Sequence, residues 1–125
     1  MSLTLVGTVL IAEDSPSELE LMSHYLQESG YNVIKSSGAK EALEKALSQK
    51  PDVIITDVVM PGMSGFELCR ALKKNPVTQK IPIVICSSKN LEIDRLWAMK
   101  QGADVYMTKP YTREQLLRAI KSVVF

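Results

Sequence analysis

Five polar residues, Glu13, Asp14, Asp57, Ser87 and Lys109, have types that could act together, and each stands at the end of a short apolar run. The stretch IITDVVMPGMSG, residues 54–65, shows the pattern: a hydrophobic run stops on Asp57, with no polar turn to receive the charge. Carboxylates brought close together repel and raise one another's pKa unless a cation intervenes. An oxygen-only donor set favours a hard ion such as Mg²⁺, which takes one or two carboxylates and keeps several waters. Lys109 cannot ligate such an ion, but it can pair with an anion that the ion also contacts. Ser87 can donate a hydrogen bond to the same anion. A carboxylate nucleophile, a divalent cation, a hydroxyl and an ammonium are together what a phosphoryl transfer onto Asp57 would need. An aspartate is ionised at neutral pH and needs no general base to attack phosphorus. Catalysis would consist of positioning and of neutralising charge on the phosphoryl oxygens.

Phosphatases with an Asp nucleophile commonly carry a second Asp two residues on, as acid and base for hydrolysis. Here that place is Val59. An acyl phosphate on Asp57 should therefore persist long enough to be read, the behaviour of a switch more than of a turnover enzyme. Each residue alone has an ordinary reading, Asp14 as a helix cap and Asp57 as the start of a loop. Five such residues on one edge of a sheet do not.

The elements that would gather them follow from hydrophobic periodicity. Runs at 8–13, 32–36, 52–57, 81–87 and 104–108 read as strands, three of them near-continuous in Val and Ile, as strands covered on both faces are. Helical spacing fills the intervals. Leu19, Met22 and Leu26 share a face, Pro16 suits a first helical position, and Gly30 can close the helix in a left-handed turn. Ser15 with Glu18 reads as a capping box, and Thr112 with Gln115 repeats it before TREQLLRAIKSVV. GAKEALEKALSQ, GFELCRALKKN and LEIDRLWAMKQG give the other helices, and the last helix runs to near Phe125. Five β-then-α units make an α/β domain with a parallel sheet and helices on both faces. All carboxyl ends of such a sheet lie on one edge, where ligands bind. If the first and third strands are neighbours, their ends lie about 5 Å apart.

A chain of 125 residues reads as a single domain, 1–125, without a linker, repeat or output domain. At this size about two-thirds of the unfolded surface can be buried without a disulfide or structural metal. The net charge of +1 is spread along the chain and gives no footprint for nucleic acid or an anionic membrane. Cys69 and Cys86 lack ligand spacing and lie in apolar stretches, which reads as buried free thiols in a reducing compartment. No apolar run approaches the roughly 20 residues of a membrane span. The opening MSLTLVGT lacks a signal-peptide pattern, so a cytoplasmic location is expected.

The motifs ED at 13–14, DVVMPGMSGFE at 57–67, PIVICSS at 82–88 and GADVYMTKPY at 102–111 together resemble the receiver domain of bacterial response regulators, the CheY-like fold. The resemblance runs from about Thr8 to Val123 and implies a doubly wound, flavodoxin-like sheet of order 2-1-3-4-5. It implies Asp57 as phosphoacceptor; Asp14, Asp57 and the backbone carbonyl of Val59 as direct Mg²⁺ ligands; and Glu13 acting through water. Ser87 becomes the switch hydroxyl, Lys109 the phosphate-pairing lysine and Tyr106 the rotating aromatic. The peptide before Pro110 is expected to be cis. Gly62 and Gly65 match positions where the loop bends tightly beside the acceptor. Ser87 stands where Thr is commoner, which keeps the hydroxyl but loses a methyl that stiffens the rotamer. Val59 and Lys89 occupy positions the family uses to tune hydrolysis. DRLWAMKQGAD resembles regulators of twitching-motility and phototaxis systems.

The resemblance further implies a phosphohistidine donor, on a histidine kinase or phosphotransfer domain that docks near the first helix. Output would go by protein contact, through the fourth helix, fifth strand and fifth helix, a face that also serves for homodimers. Phosphorylation would draw Ser87 inward and let Tyr106 rotate into the vacated space. The alternative is a receiver-like scaffold that is never phosphorylated. Trp97 and Met99 fit either core packing or partner docking, and His24 reads as a surface residue.

Overall fold

The computed structural model describes residues 7–124. The opening residues 1–6 and Phe125, on which the signal-peptide reading and the end of the last helix partly fall, lie outside them. The strands are β1 (Thr8–Ala12), β2 (Asn32–Ser36), β3 (Val53–Thr56), β4 (Ile83–Ser87) and β5 (Val105–Thr108). They alternate with α1 (Pro16–Glu28), α2 (Ala39–Gln49), α3 (Gly65–Lys74), α4 (Glu92–Lys100) and α5 (Arg113–Val124). All pairings are parallel, in the order β2-β1-β3-β4-β5.

Alternation along each strand divides the core in two, because successive side chains point to opposite faces. Val9 and Ile11, Val53 and Ile55, and Val84 and Cys86 pack with Met22 and Leu26 of α1 and Leu116 and Ile120 of α5. Leu10, Ile54, Ile83 and Ile85 pack with Ala42 and Ala46 of α2, Leu68 and Leu72 of α3, and Ala98 of α4. The small residues on α2 fit a helix laid closely on a sheet.

Helix ends follow the signals in part. Gly30 has φ +94, and the Tyr31 N–H bonds back to the Leu26 carbonyl at 3.0 Å, closing α1 as expected. Thr112 and Gln115 exchange side-chain bonds at 3.0 and 2.8 Å and cap α5. The box expected at Ser15 does not form: Ser15 makes no side-chain cap bond, and Glu18 turns to Lys109. A charged partner outcompetes a neutral backbone N–H for that carboxylate. A further box, which the sequence reading does not name, joins Ser64 and Glu67 at the start of α3.

Candidate functional site

Register places the site. Ala12 of β1 pairs with Ser36 and Thr56, so β1, β2 and β3 end on one line; Thr56 pairs with Ile85, and β4 runs two residues further to end beside β5, Ser87 with Thr108. Glu13 and Asp57 each sit one residue past a strand rather than inside it. The ladder nonetheless reaches them: the Glu13 N–H donates to the Ser36 carbonyl at 3.0 Å, and the Asp57 N–H to the Ala12 carbonyl at 3.1 Å. Both backbones are thereby fixed by the sheet, and their side chains inherit that rigidity.

Oxygens of Glu13, Asp14 and Asp57 all lie within 4.8 Å of one another. Glu13 is buried, Asp57 half-buried and Asp14 exposed, so the cluster opens to solvent on one side. Asp57 Oδ1 accepts the Val58 N–H at 2.7 Å, and Oδ2 lies 3.2 Å from Lys109 Nζ. Lys109 also donates to Glu13 Oε1 at 3.0 Å and Glu18 Oε1 at 2.6 Å. Glu13 Oε2 takes the Ser15 N–H at 3.1 Å. Burial raises the Glu13 carboxyl above the usual carboxylate range, even against the Lys109 hydrogen bond, and the charge of Asp57 adds to the rise. Burial pulls the Lys109 ammonium the other way, but its bonds to Glu18 and Glu13 and the charge of Asp57 outweigh it and raise Lys109 above its usual value.

One ammonium therefore faces three acids packed around a point, and the cluster carries more negative charge than Lys109 neutralises. Three convergent carboxylates without nitrogen or sulfur donors suit a hard divalent cation such as Mg²⁺.

The loop after Asp57 turns under tight constraint. A side chain on Gly65 would place its Cβ 1.9 Å from the Asp57 carbonyl oxygen. Gly62 has φ +80, a region that favours glycine. Val59, two residues after Asp57, is 68% exposed.

On the other flank, the Lys109 N–H donates to the Ser87 carbonyl at 2.8 Å, which ties the lysine's backbone to β4. The Lys109–Pro110 peptide is cis. Ser87 is buried, and its Oγ accepts the Lys89 N–H at 3.2 Å. Tyr106 packs against the α2–α3–α4 core, and its hydroxyl donates to the Lys89 carbonyl at 2.6 Å. Ser87, Tyr106, Phe66, Ile93 and Trp97 line a cavity of about 250 Å³. Trp97 and Met99 are not core: they are 49% and 38% exposed. His24 is on the surface, 3.3 Å from Glu28. The residue that sequence reasoning missed is Glu18. Its place one turn beyond the acidic pair was the available signal, hidden by the capping pattern that explained it more simply.

The family described as "Response regulator receiver domain" matches residues 9–121. The chain belongs to this family. This receiver domain is 39% identical over 119 residues to Protein PilH of Pseudomonas aeruginosa, covering 95% of the chain and 98% of PilH. It resembles the structure of chemotaxis protein CheY4 of Vibrio cholerae at 34% identity and TM-score 0.90, covering 95% of this chain and 99% of that one. The receiver domain of a sensor histidine kinase from Pseudomonas aeruginosa PAO1 shares the fold at 24% identity and TM-score 0.89, over 96% and 98% of the two chains. That protein holds a magnesium ion in its active-site cleft. The order β2-β1-β3-β4-β5 and the CheY-like neighbours agree with the fold the motifs implied. No helix among the described residues is long and apolar enough to cross a membrane.

Proposed function

We propose that this receiver domain is a phosphorylation switch whose acceptor is Asp57. The observation that carries the reading is the meeting of Glu13, Asp14 and Asp57 within 4.8 Å, with Lys109 held 3.2 Å from Asp57 Oδ2. An Asp57 oxygen attacks phosphorus, the bond from phosphorus to the donor imidazole nitrogen breaks, and that nitrogen takes up a proton as it leaves. Lys109 and Ser87 bind the phosphoryl oxygens. Asp14, Asp57 and the Val59 carbonyl would hold Mg²⁺, with Glu13 behind a water, and the ion would neutralise charge on the transferring group. The donor is a phosphohistidine on a histidine kinase or phosphotransfer domain. It would dock over the apolar rim formed by Leu21, Pro110 and Tyr111 next to Lys109.

Output leaves through α4, β5 and α5. Leu91, Ile93, Leu96, Trp97 and Met99 crowd that side, each more than a third exposed. Tyr106 lines both the cavity beside Ser87 and a cleft of about 470 Å³ along β5 and α5, so a change at Ser87 has a direct route to that surface. The domain does not turn over a substrate; it reacts, holds the group and is read in the cytoplasm.

Incubation with Mg²⁺ and acetyl phosphate or phosphoramidate should add one phosphoryl group by mass. The gain should vanish in Asp57→Ala and on chelation of the metal. A native protein that gains no mass would instead be an unphosphorylated scaffold.

A further inference from the structure

Lys109 engages three carboxylates at once: Glu18 Oε1 at 2.6 Å, Glu13 Oε1 at 3.0 Å and Asp57 Oδ2 at 3.2 Å. An ammonium has three donors, so its capacity is full. A phosphoryl oxygen that takes a bond from Lys109 must displace one of them. The three differ in what they lose. The Glu13 side chain is 5% exposed, and a buried carboxylate left unpaired is costly. Asp57 is the position at which the phosphoryl group itself arrives. Glu18 is 48% exposed, so water can take over its charge at small cost. Glu18 has also forgone its local alternative: the S-x-x-E pattern offers it a place at the start of α1, yet it reaches across to the turn after β5.

We propose that Glu18 is a positioning residue for Lys109, one that holds the ammonium in the unphosphorylated site and releases it to the incoming phosphoryl group. Separation of the Glu18–Lys109 pair is then part of the cost of switching. This rests on the phosphoacceptor reading above and adds to it a resting partner for the lysine. Both residues line a cleft of about 330 Å³ shared with Leu21, Ser88, Pro110 and Tyr111, so the pair stands where a docked protein could also separate it.

The test is the affinity for beryllofluoride, formed from beryllium chloride and excess fluoride with Mg²⁺, followed by fluorine NMR. Native protein would be compared with Glu18→Gln, Glu18→Asp and Glu20→Gln. Loss of the pair should tighten binding about three- to five-fold in both Glu18 variants, the range open to a half-exposed ion pair. Glu18→Asp keeps the charge but falls one methylene short, so agreement between the two identifies the contact as the cause. Glu20 bonds Lys35 instead, and Glu20→Gln, which removes the same charge from the same helix, should leave affinity unchanged. Equal affinity in all four proteins would overturn the proposal. So would tightening by Glu18→Gln without Glu18→Asp, or equal tightening by Glu20→Gln, since either is a net-charge effect. Native protein that binds no beryllofluoride would overturn the phosphoacceptor reading and this proposal with it, a result distinct from equal, finite affinities.

Discussion

The Tyr106 hydroxyl donates to the Lys89 carbonyl at 2.6 Å, while the N–H of the same residue donates to Ser87 Oγ at 3.2 Å. The turn that follows β4 is therefore held from both sides, by the aromatic of β5 and by the hydroxyl that ends β4. Any pull on Ser87 is felt at Tyr106 through one residue. Tyr106→Phe deletes the outer bond and keeps the ring. It should cost about 1 kcal/mol in urea unfolding. It should also alter the fluorescence of Trp97, which lines the same cavity. An unchanged spectrum and midpoint would mean the bond does not hold the turn.

Gly65 is required by space. Its Cβ would meet the backbone oxygen of Asp57 at 1.9 Å, and that oxygen already accepts the Thr56 hydroxyl at 2.8 Å, on a residue whose N–H is held by the Ala12 carbonyl. Gly65→Ala should cost more than about 2 kcal/mol by forcing the loop away from Asp57. Gly38→Ala is the control: nothing lies within 4 Å of its Cβ, and its φ of −164 is extended backbone open to any residue. That variant should lose less than about 1 kcal/mol in the same denaturation series.

Glu41 gives the fold a pH dependence of known sign. It accepts the Ser37 N–H at 2.9 Å and pairs with Lys45 at 3.0 Å, and these hold its carboxyl down at about 2. An unfolded Glu titrates near ~4.3, so the folded value is depressed. The contribution is fully present above that unfolded value and is lost as pH falls toward 2. Glu41→Gln should destabilise by about 1 kcal/mol at neutral pH, since water screens a half-exposed group. The difference from native protein should close progressively below pH ~4. A constant gap across the acid range would mean the interaction is steric.

Cys69 and Cys86 are buried, and burial pushes their thiols up to about 11 and about 12. The reactive thiolate is scarce at pH 8 and out of reach. A disulfide-exchange reagent should label neither thiol in the native protein and both in urea. Rapid labelling of either under native conditions would show that its strand or helix opens locally.

Much of this molecule was legible in the sequence because its signals were redundant. Val–Ile runs, helical spacing and carboxylates at strand ends all called for one parallel sheet with a polar edge, and Glu13, Asp14 and Asp57 do converge. What escaped were choices between partners. Glu18 could cap α1 or reach Lys109, and local pattern favours the cap; only the fold brings the β5–α5 turn close enough for an ammonium to win. Ser64 and Glu67 carry an equally clear box, S-x-x-E, at the start of α3. Trp97 was undecided for a different reason. Helical spacing shows which residues share a face, but whether another element covers that face depends on tertiary packing, and here it is left open.

On the proposed phosphoacceptor reading, Val59 should set how long a phosphoryl group on Asp57 lasts. Hydrolysis needs a water aligned on phosphorus and a group to take its proton, and the family resemblance puts the second at the residue two beyond Asp57. Val59 is 68% exposed and apolar, so it offers no base. The acyl phosphate, prepared with acetyl phosphate and freed of donor, should decay with a half-life well beyond seconds in Mg²⁺. Val59→Asp introduces a carboxylate at that point. General-base catalysis is worth 10²–10⁴-fold when well aligned, so even an imperfectly placed Asp should shorten the lifetime about ten-fold or more. Native decay within seconds would show that water already reaches phosphorus unaided. An unchanged lifetime in Val59→Asp would place the limiting barrier at another flank of the site, where Lys89 follows Ser87.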